Sequence, residues 1–104
     1  MVMTKPQMVK SVSPGEMLEE EFMKPLGLSR AEVARRLGVP ANRITQIIKG
    51  QRSITPETAL RLEALFGWQA AYWLQNQAEY DLESARRSDG VRICKEVRSL
   101  KAIA

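Results

Sequence analysis

Apolar residues recur three and four positions apart along most of this chain, and the rhythm stops at Pro or Gly. That spacing lines one face of an α-helix. Ser13-Pro14-Gly15-Glu16 has the form of a helix start, with a capping hydroxyl, Pro at the first helical position and an acid three residues after the cap. A first helix from there carries Met17, Leu18 and Phe22 inward and is expected to stop near Lys24, because Pro25 disfavours helical geometry in the residue before it. Ser29-Arg30-Ala31-Glu32 repeats the capping pattern and opens a second helix with Ala31, Val33, Ala34 and Leu37 apolar. Gly38 closes it and Val39 plugs the turn. Pro40 starts a third helix, where a polar cap is more usual; Ile44, Ile47 and Ile48 are its apolar positions and Gly50 ends it, with Ile54 tucked inward after it. Thr55-Pro56-Glu57 opens a fourth helix that buries Ala59, Leu60, Leu62, Leu65 and Phe66 before Gly67.

A fifth helix spans 69–87, with Ala70, Trp73, Leu74, Tyr80 and Leu82 as packing residues, and Asp89-Gly90 reads as a turn. After it Val91 and Ile93 alternate like a strand, while Ile93, Val97 and Leu100 fit a helix face, so the end is a short helix or an extended tail. The expected organisation is a mobile tail over 1–12, one domain over 13–87 and an extension over 88–104.

The second and third helices are joined by Gly38-Val39-Pro40, which is the layout of a helix-turn-helix. In such a unit the second helix of the pair lies in the DNA major groove. The charge pattern agrees. Between Leu28 and Ser53 the cations are Arg30, Arg35, Arg36, Arg43, Lys49 and Arg52, and the one anion is Glu32. Acidic flanks at Glu16, Glu19, Glu20 and Glu21 and at Glu79, Asp81 and Glu83 leave a basic centre suited to phosphates.

Base reading needs paired donors and acceptors on the outer face of the third helix. Asn42 and Gln46 are four apart, hence on one face, and each carboxamide can bond adenine in bidentate fashion. Arg43 and Lys49 reach guanine or phosphate, and Thr45 meets a thymine methyl. Ser29 and Arg30 sit at a helix N-terminus, where free N–H groups favour an anion. Arg52 and Ser53 follow the third helix and are placed to grip the backbone, which sets register without reading sequence. Arg35 and Arg36 are either phosphate contacts or plain surface charges.

The 104-residue length fits one domain, and 44% apolar with 27% charged residues is ordinary for a soluble protein. No apolar run approaches the roughly 18 residues that span a bilayer, and Met1 to Val12 has no apolar core of a secretory signal, so the expected location is the cytoplasm. The chain has no histidine and one cysteine, Cys94. That removes Ser-His-Asp and Cys-His catalysis, the usual His-containing zinc sites and an intrachain disulfide. No motif supports carboxylate chemistry, so no catalytic residue, metal or cofactor is assigned.

The run RAEVARRLGVPANRITQIIKGQRSITPETALRLEALFG resembles the five-helix Cro/repressor (xenobiotic-response-element) domain. SPGEMLEEEFMKPLGLS before it and FGWQAAYWLQNQAEYDLESA after it resemble the HigA-type, or VapI-like, antitoxins. The resemblance covers Ser13 to Ala85 and implies an all-α domain and a dimeric repressor. Such a repressor binds a palindromic operator in its own promoter and neutralises a small basic mRNA-cleaving toxin. By position, Asn42 and Gln46 match base contacts, and Ser29, Arg30 and Arg52 match backbone contacts. Departures stand beside this: Pro40 replaces the usual hydroxyl cap, Ala41 occupies a place where relatives of the fold often carry Gln, and Ser13 one where the group often has His. Ala41 cannot bond a base, so operator preference cannot be copied from a relative.

The acidic run Glu19, Glu20 and Glu21 is either a solvated helix start or the face that meets the toxin. Tyr72, Trp73 and Tyr80 are core aromatics, or in part a face toward a second subunit. The reading is an all-α, five-helix, dimeric DNA-binding antitoxin and autorepressor with a C-terminal extension. Its rivals are a solitary regulator without a toxin and a protein-binding module whose DNA contacts have decayed.

Overall fold

The computed structural model describes residues 12–100, and among these the regular structure is helical apart from turns and loops, with no strand. Ser13 caps the first helix as expected: its Oγ accepts from the Glu16 N–H at 3.2 Å, and the Glu16 carboxylate accepts from the Ser13 N–H at 3.4 Å. This helix, α1, has three consecutive pieces, α-helical over Pro14–Met17, π-helical over Leu18–Met23 and α-helical over Lys24–Leu26. It does not stop near Lys24. The Lys24 N–H donates five residues back, to Glu19 C=O, and the wider turn carries the chain through Pro25, whose ring would crowd a regular α-turn. Gly27, at φ 66°, ends it instead.

Helix α2 spans Arg30–Leu37, α3 Ala41–Ile48, α4 Pro56–Phe66 and α5 Ala70–Glu96. Ser29 and Thr55 cap α2 and α4 by accepting from Glu32 N–H at 3.1 Å and Thr58 N–H at 3.3 Å. Only half of the second capping box forms, because the Glu32 carboxylate turns away from the cap toward Arg35 and Arg36. Pro40 enters α3 in extended geometry without a side-chain cap.

Leu18, Val33, Ile44, Leu62 and Trp73 are fully buried, one from each helix in turn, so every helix contributes to one core. Phe22, Phe66, Trp68 and Trp73 meet at its centre, with ring centroids 4.9–5.5 Å apart. Aromatic pairs at this spacing contribute beyond their buried area. Met23 and Trp68 join the core although neither was expected there. Ala31, Leu60 and Leu82, expected to pack, are exposed; the burying faces of α2 and α4 are narrower than the apolar pattern suggested. Ile54 is buried and Val39 packs against the core, as read from the sequence.

The largest departure is α5. It runs without a break through Asp89-Gly90 to Glu96, across the expected end at Arg87 and into the stretch read as a separate extension. Gly90 costs a helix about 1 kcal/mol, but ion pairs bridge successive turns around it. Arg87 meets Glu83 at 3.3 Å, and Arg92 meets Asp89 at 3.3 Å and Glu96 at 3.0 Å. Such pairs support a helix by a few tenths of a kcal/mol each. The helical face, not the strand-like alternation, describes Val91 and Ile93. The expected tail over 1–12 lies outside the described residues except for Val12.

Candidate nucleic-acid interface

Ile44 and Ile47 anchor α3 in the core, so its opposite side must face outward. Asn42 and Lys49 are exposed there, and Arg43, Thr45 and Gln46 are half-buried at its edges. The Arg43 Nε is buried with no hydrogen-bond partner among the described residues, so part of this cation's donor capacity is unspent. The turn before α3 is held by Gly38 at φ 74°, by Val39 N–H donating to Ala34 C=O at 3.0 Å, and by Arg61. From α4 the Arg61 guanidinium donates to Leu37 C=O at 2.8 Å and satisfies a carbonyl at the end of α2. Nothing in the local sequence marked Arg61 for this role.

At the other end of α3 the approach of α1 is closer. A methyl group on Gly15 would overlap the Ile47 carbonyl oxygen and stand 2.6 Å from Ile48 Cα, so α1 lies directly on the backbone of α3. This contact fixes how far α3 stands out from the domain, and the sequence gave no sign of it beyond a glycine at a helix start.

The rim residues are exposed or half-exposed, but not all are free. Ser29 Oγ accepts from Glu32 N–H, which leaves its own O–H to donate outward. Arg30 pairs with Glu19 at 3.2 Å, joining a residue read as a phosphate contact to one read as a toxin contact. Glu20 likewise pairs with Lys24 at 2.7 Å, and its hydrogen bond raises the Lys24 pKa from the ordinary value. Arg35 and Arg36 both grip Glu32, and the Arg36 hydrogen bond holds that carboxyl below its usual range. Arg52 and Ser53 are exposed, and Arg52 Nη1 donates to Gln46 Oε1 at 3.4 Å. The base-reading and backbone-gripping candidates therefore touch one another.

Of the aromatics with two readings, Trp73 is fully buried, Tyr72 is 38% exposed against Trp68, and Tyr80 is half-buried. Among the described residues no His, Cys, Asp or Glu side chains gather into a metal site, and no helix is long and apolar enough to cross a membrane.

A family model described as helix-turn-helix matches residues 20–73. Virulence-associated protein I of Dichelobacter nodosus is 47% identical over 77 residues, 74% of this chain and 71% of that protein. Antitoxin HigA-1 of Vibrio cholerae is 35% identical over 77 residues, 74% of this chain and 72% of that protein. The solved Pseudomonas aeruginosa antitoxin HigA with the higBA promoter superposes with a TM-score of 0.83 at 35% identity, covering 88% of this chain and 99% of that one. The chain belongs to the helix-turn-helix family, in its HigA-type (VapI-like) branch. That branch is one of DNA-binding regulators, not enzymes.

The family match includes α2, the turn, α3 and α4 whole, with the end of α1 and the start of α5. Gly15 and most of α5 lie outside it, although they hold the helix-turn-helix unit in place.

Proposed function

We propose that this chain is a dimeric, sequence-specific DNA-binding antitoxin that represses its own promoter and neutralises a small basic mRNA-cleaving toxin. The observation that carries the reading is α3, seated on Ile44 and Ile47, with Asn42 and Gln46 on its outward side. A HigA-type relative solved with promoter DNA shares this architecture over nearly its whole length. Asn42, Gln46, Thr45, Arg43 and Lys49 face base edges in this reading, and Ser29, Arg30, Arg52 and Ser53 grip phosphates.

A two-fold dimer follows from the demand for two half-sites about one DNA turn apart. The exposed Leu82, Val91 and Ile93 on α5 supply apolar surface for a second copy. Glu20 and Glu21 remain exposed on α1 as a face for a basic toxin, with Glu19 shared with Arg30. Binding of the purified chain to a duplex from just upstream of its own coding sequence tests the repressor part. Co-expression with the adjacent gene, scored for relief of growth arrest and of mRNA cleavage, tests the antitoxin part. DNA binding without any neutralisable neighbour would leave a solitary regulator, and failure to prefer the upstream duplex over mixed sequence would overturn autorepression.

A further inference from the structure

The loop after α3 is held at its two ends by hydrogen bonds of different origin. At its start the Gln51 N–H donates to Gln46 C=O of α3 at 2.8 Å. At its end the Ile54 N–H donates across the chain to the side-chain Oε1 of Gln77 on α5, at 3.1 Å. Arg52 and Ser53 are the two residues between these anchors. Behind the loop lies a small cleft that Arg52, Ser53, Gln77, Tyr80 and Asp81 help to line, so Gln77 bridges a gap that side-chain packing does not fill.

A lone glutamine is a poor anchor, because its side chain has rotamer freedom to lose and its amide can turn over. Here the amide has a direction. Gln77 Nε2 donates to Asp81 Oδ1 at 2.9 Å, one turn along α5. A carboxylate accepts only, so it selects the NH2 side and leaves Oε1 aimed at the loop. Ile54 is 3% exposed, so its N–H would be left without a partner if Gln77 let go.

We propose that Gln77, oriented by Asp81, is a positioning residue for DNA binding, setting from α5 the reach of the Arg52–Ser53 loop toward the phosphate backbone. The proposal rests on the DNA-binding reading above and adds a role for α5 in it. Gln77 touches no DNA; it acts through Ile54 and the loop.

The test uses the full chain, a duplex from upstream of its own coding sequence and a mixed-sequence duplex, with affinity measured across a salt series. Gln77→Leu is expected to weaken both duplexes by about tenfold, the scale of one buried donor left unmet. It is also expected to lower the slope of log affinity against log salt by about 0.9, one phosphate contact. A simple loss of folded protein moves apparent affinity and not that slope. Gln77→Glu combined with Asp81→Asn keeps net charge and both hydrogen bonds, with the polarity of the inner one reversed, and is expected to restore affinity and slope. Gln77→Glu alone, which sets two carboxylates together, is expected to behave like Gln77→Leu. Arg52→Ala and Gln77→Leu together should cost little more than Arg52→Ala.

A folded Gln77→Leu with an unchanged slope overturns the proposal. If Gln77→Leu does not fold, the Glu pair decides it: equal affinities for Gln77→Glu and for the double variant also overturn it. A wild-type chain with no preference for the upstream duplex overturns autorepression while the mixed-sequence slope still tests Gln77. A wild-type chain that binds neither duplex overturns both.

Discussion

Gly15→Ala isolates what positions the recognition helix. Judged on α1 alone the change is favourable, since alanine in place of a helical glycine is worth up to about 0.5–1 kcal/mol. The tertiary contact reverses the sign. The new methyl would overlap Ile47 O and lie 2.6 Å and 2.8 Å from Ile48 Cα and Ile47 C, where real Cβ atoms stay beyond 3.0 Å. All three atoms are backbone, so no rotamer change gives relief; α1 and α3 must separate by roughly an ångström, and forcing methyl groups into packed interiors costs about 1–3 kcal/mol. We expect a net loss of about 1–2 kcal/mol, a fall in melting temperature of roughly 4–8 °C per kcal/mol for a domain this size.

The internal control is Gly90→Ala. Gly90 is also helical, but a methyl there meets only Arg86 Cβ at 3.9 Å. The same substitution should then raise stability, by about 0.5–1 kcal/mol. Thermal and urea unfolding of both variants, followed by circular dichroism, read the two signs. Because the Gly15 contact is made to the end of α3, Gly15→Ala should also weaken promoter binding at temperatures where it is fully folded, while Gly90→Ala should not. A Gly15→Ala protein as stable as the parent, or more so, would refute the steric argument outright.

The DNA contacts divide by role. Asn42→Ala should cost about 1–3 kcal/mol at one matched base pair and flatten preference there, whereas Arg52→Ala should weaken all sequences and lower the salt slope by about 0.9. Effects of Asn42→Ala and Arg52→Ala should add, but those of Gln46→Ala and Arg52→Ala should not, given their 3.4 Å hydrogen bond; additivity in the second pair would remove that coupling. Glu32 has its pKa lowered from the usual 4.5, first by the Arg36 hydrogen bond, so its contribution is present above that value and lost as pH falls through the lowered one. Wild type should therefore exceed Glu32→Gln in stability at neutral pH, with the gap closing in acid and in high salt; a gap that persists in acid would contradict this. Charge reversal of Glu20 and Glu21 should slow capture of a basic toxin and spare DNA binding, while Glu19→Lys should also disturb DNA binding through Arg30. Equal toxin association rates for the Glu20 and Glu21 reversal and the parent would dismiss the acidic face.

Helix starts were readable because their chemistry is local. Ser13, Ser29 and Thr55 each bond an N–H three residues on, within reach of the same short segment that encodes them. Helix ends were less readable where a weak breaker met other forces. Pro25 is carried by a π-helical turn, and Asp89-Gly90 by ion pairs across it. Trp68 escaped notice because it lies between two helices, outside either periodic face, yet it completes the aromatic cluster. Leu60 and Leu82 erred the other way: periodicity marks where an apolar face can form, and the number of partners decides how wide it is.

For the candidate site, direction was legible and partnership was not. The isoleucines of α3 fix which side is buried, and Asn42 and Gln46 must then lie away from them. What spacing cannot carry is who holds whom across the fold. Glu19 and Arg30 are eleven residues apart, Arg61 and Leu37 twenty-four, Ile54 and Gln77 twenty-three. These long-range bonds share one pattern: each ties the helix-turn-helix unit to a helix outside it. A recognition helix is specific only if its placement is rigid, since an ångström of play would blur the bidentate geometry that separates one base from another. The residues that read DNA in this proposal are thus confined to eleven positions from Asn42 to Arg52, while those that aim them are spread from Gly15 to Asp81. A variant in the aiming set should lower affinity without shifting base preference toward any new sequence, and that is how its phenotype would differ from a variant in α3 itself.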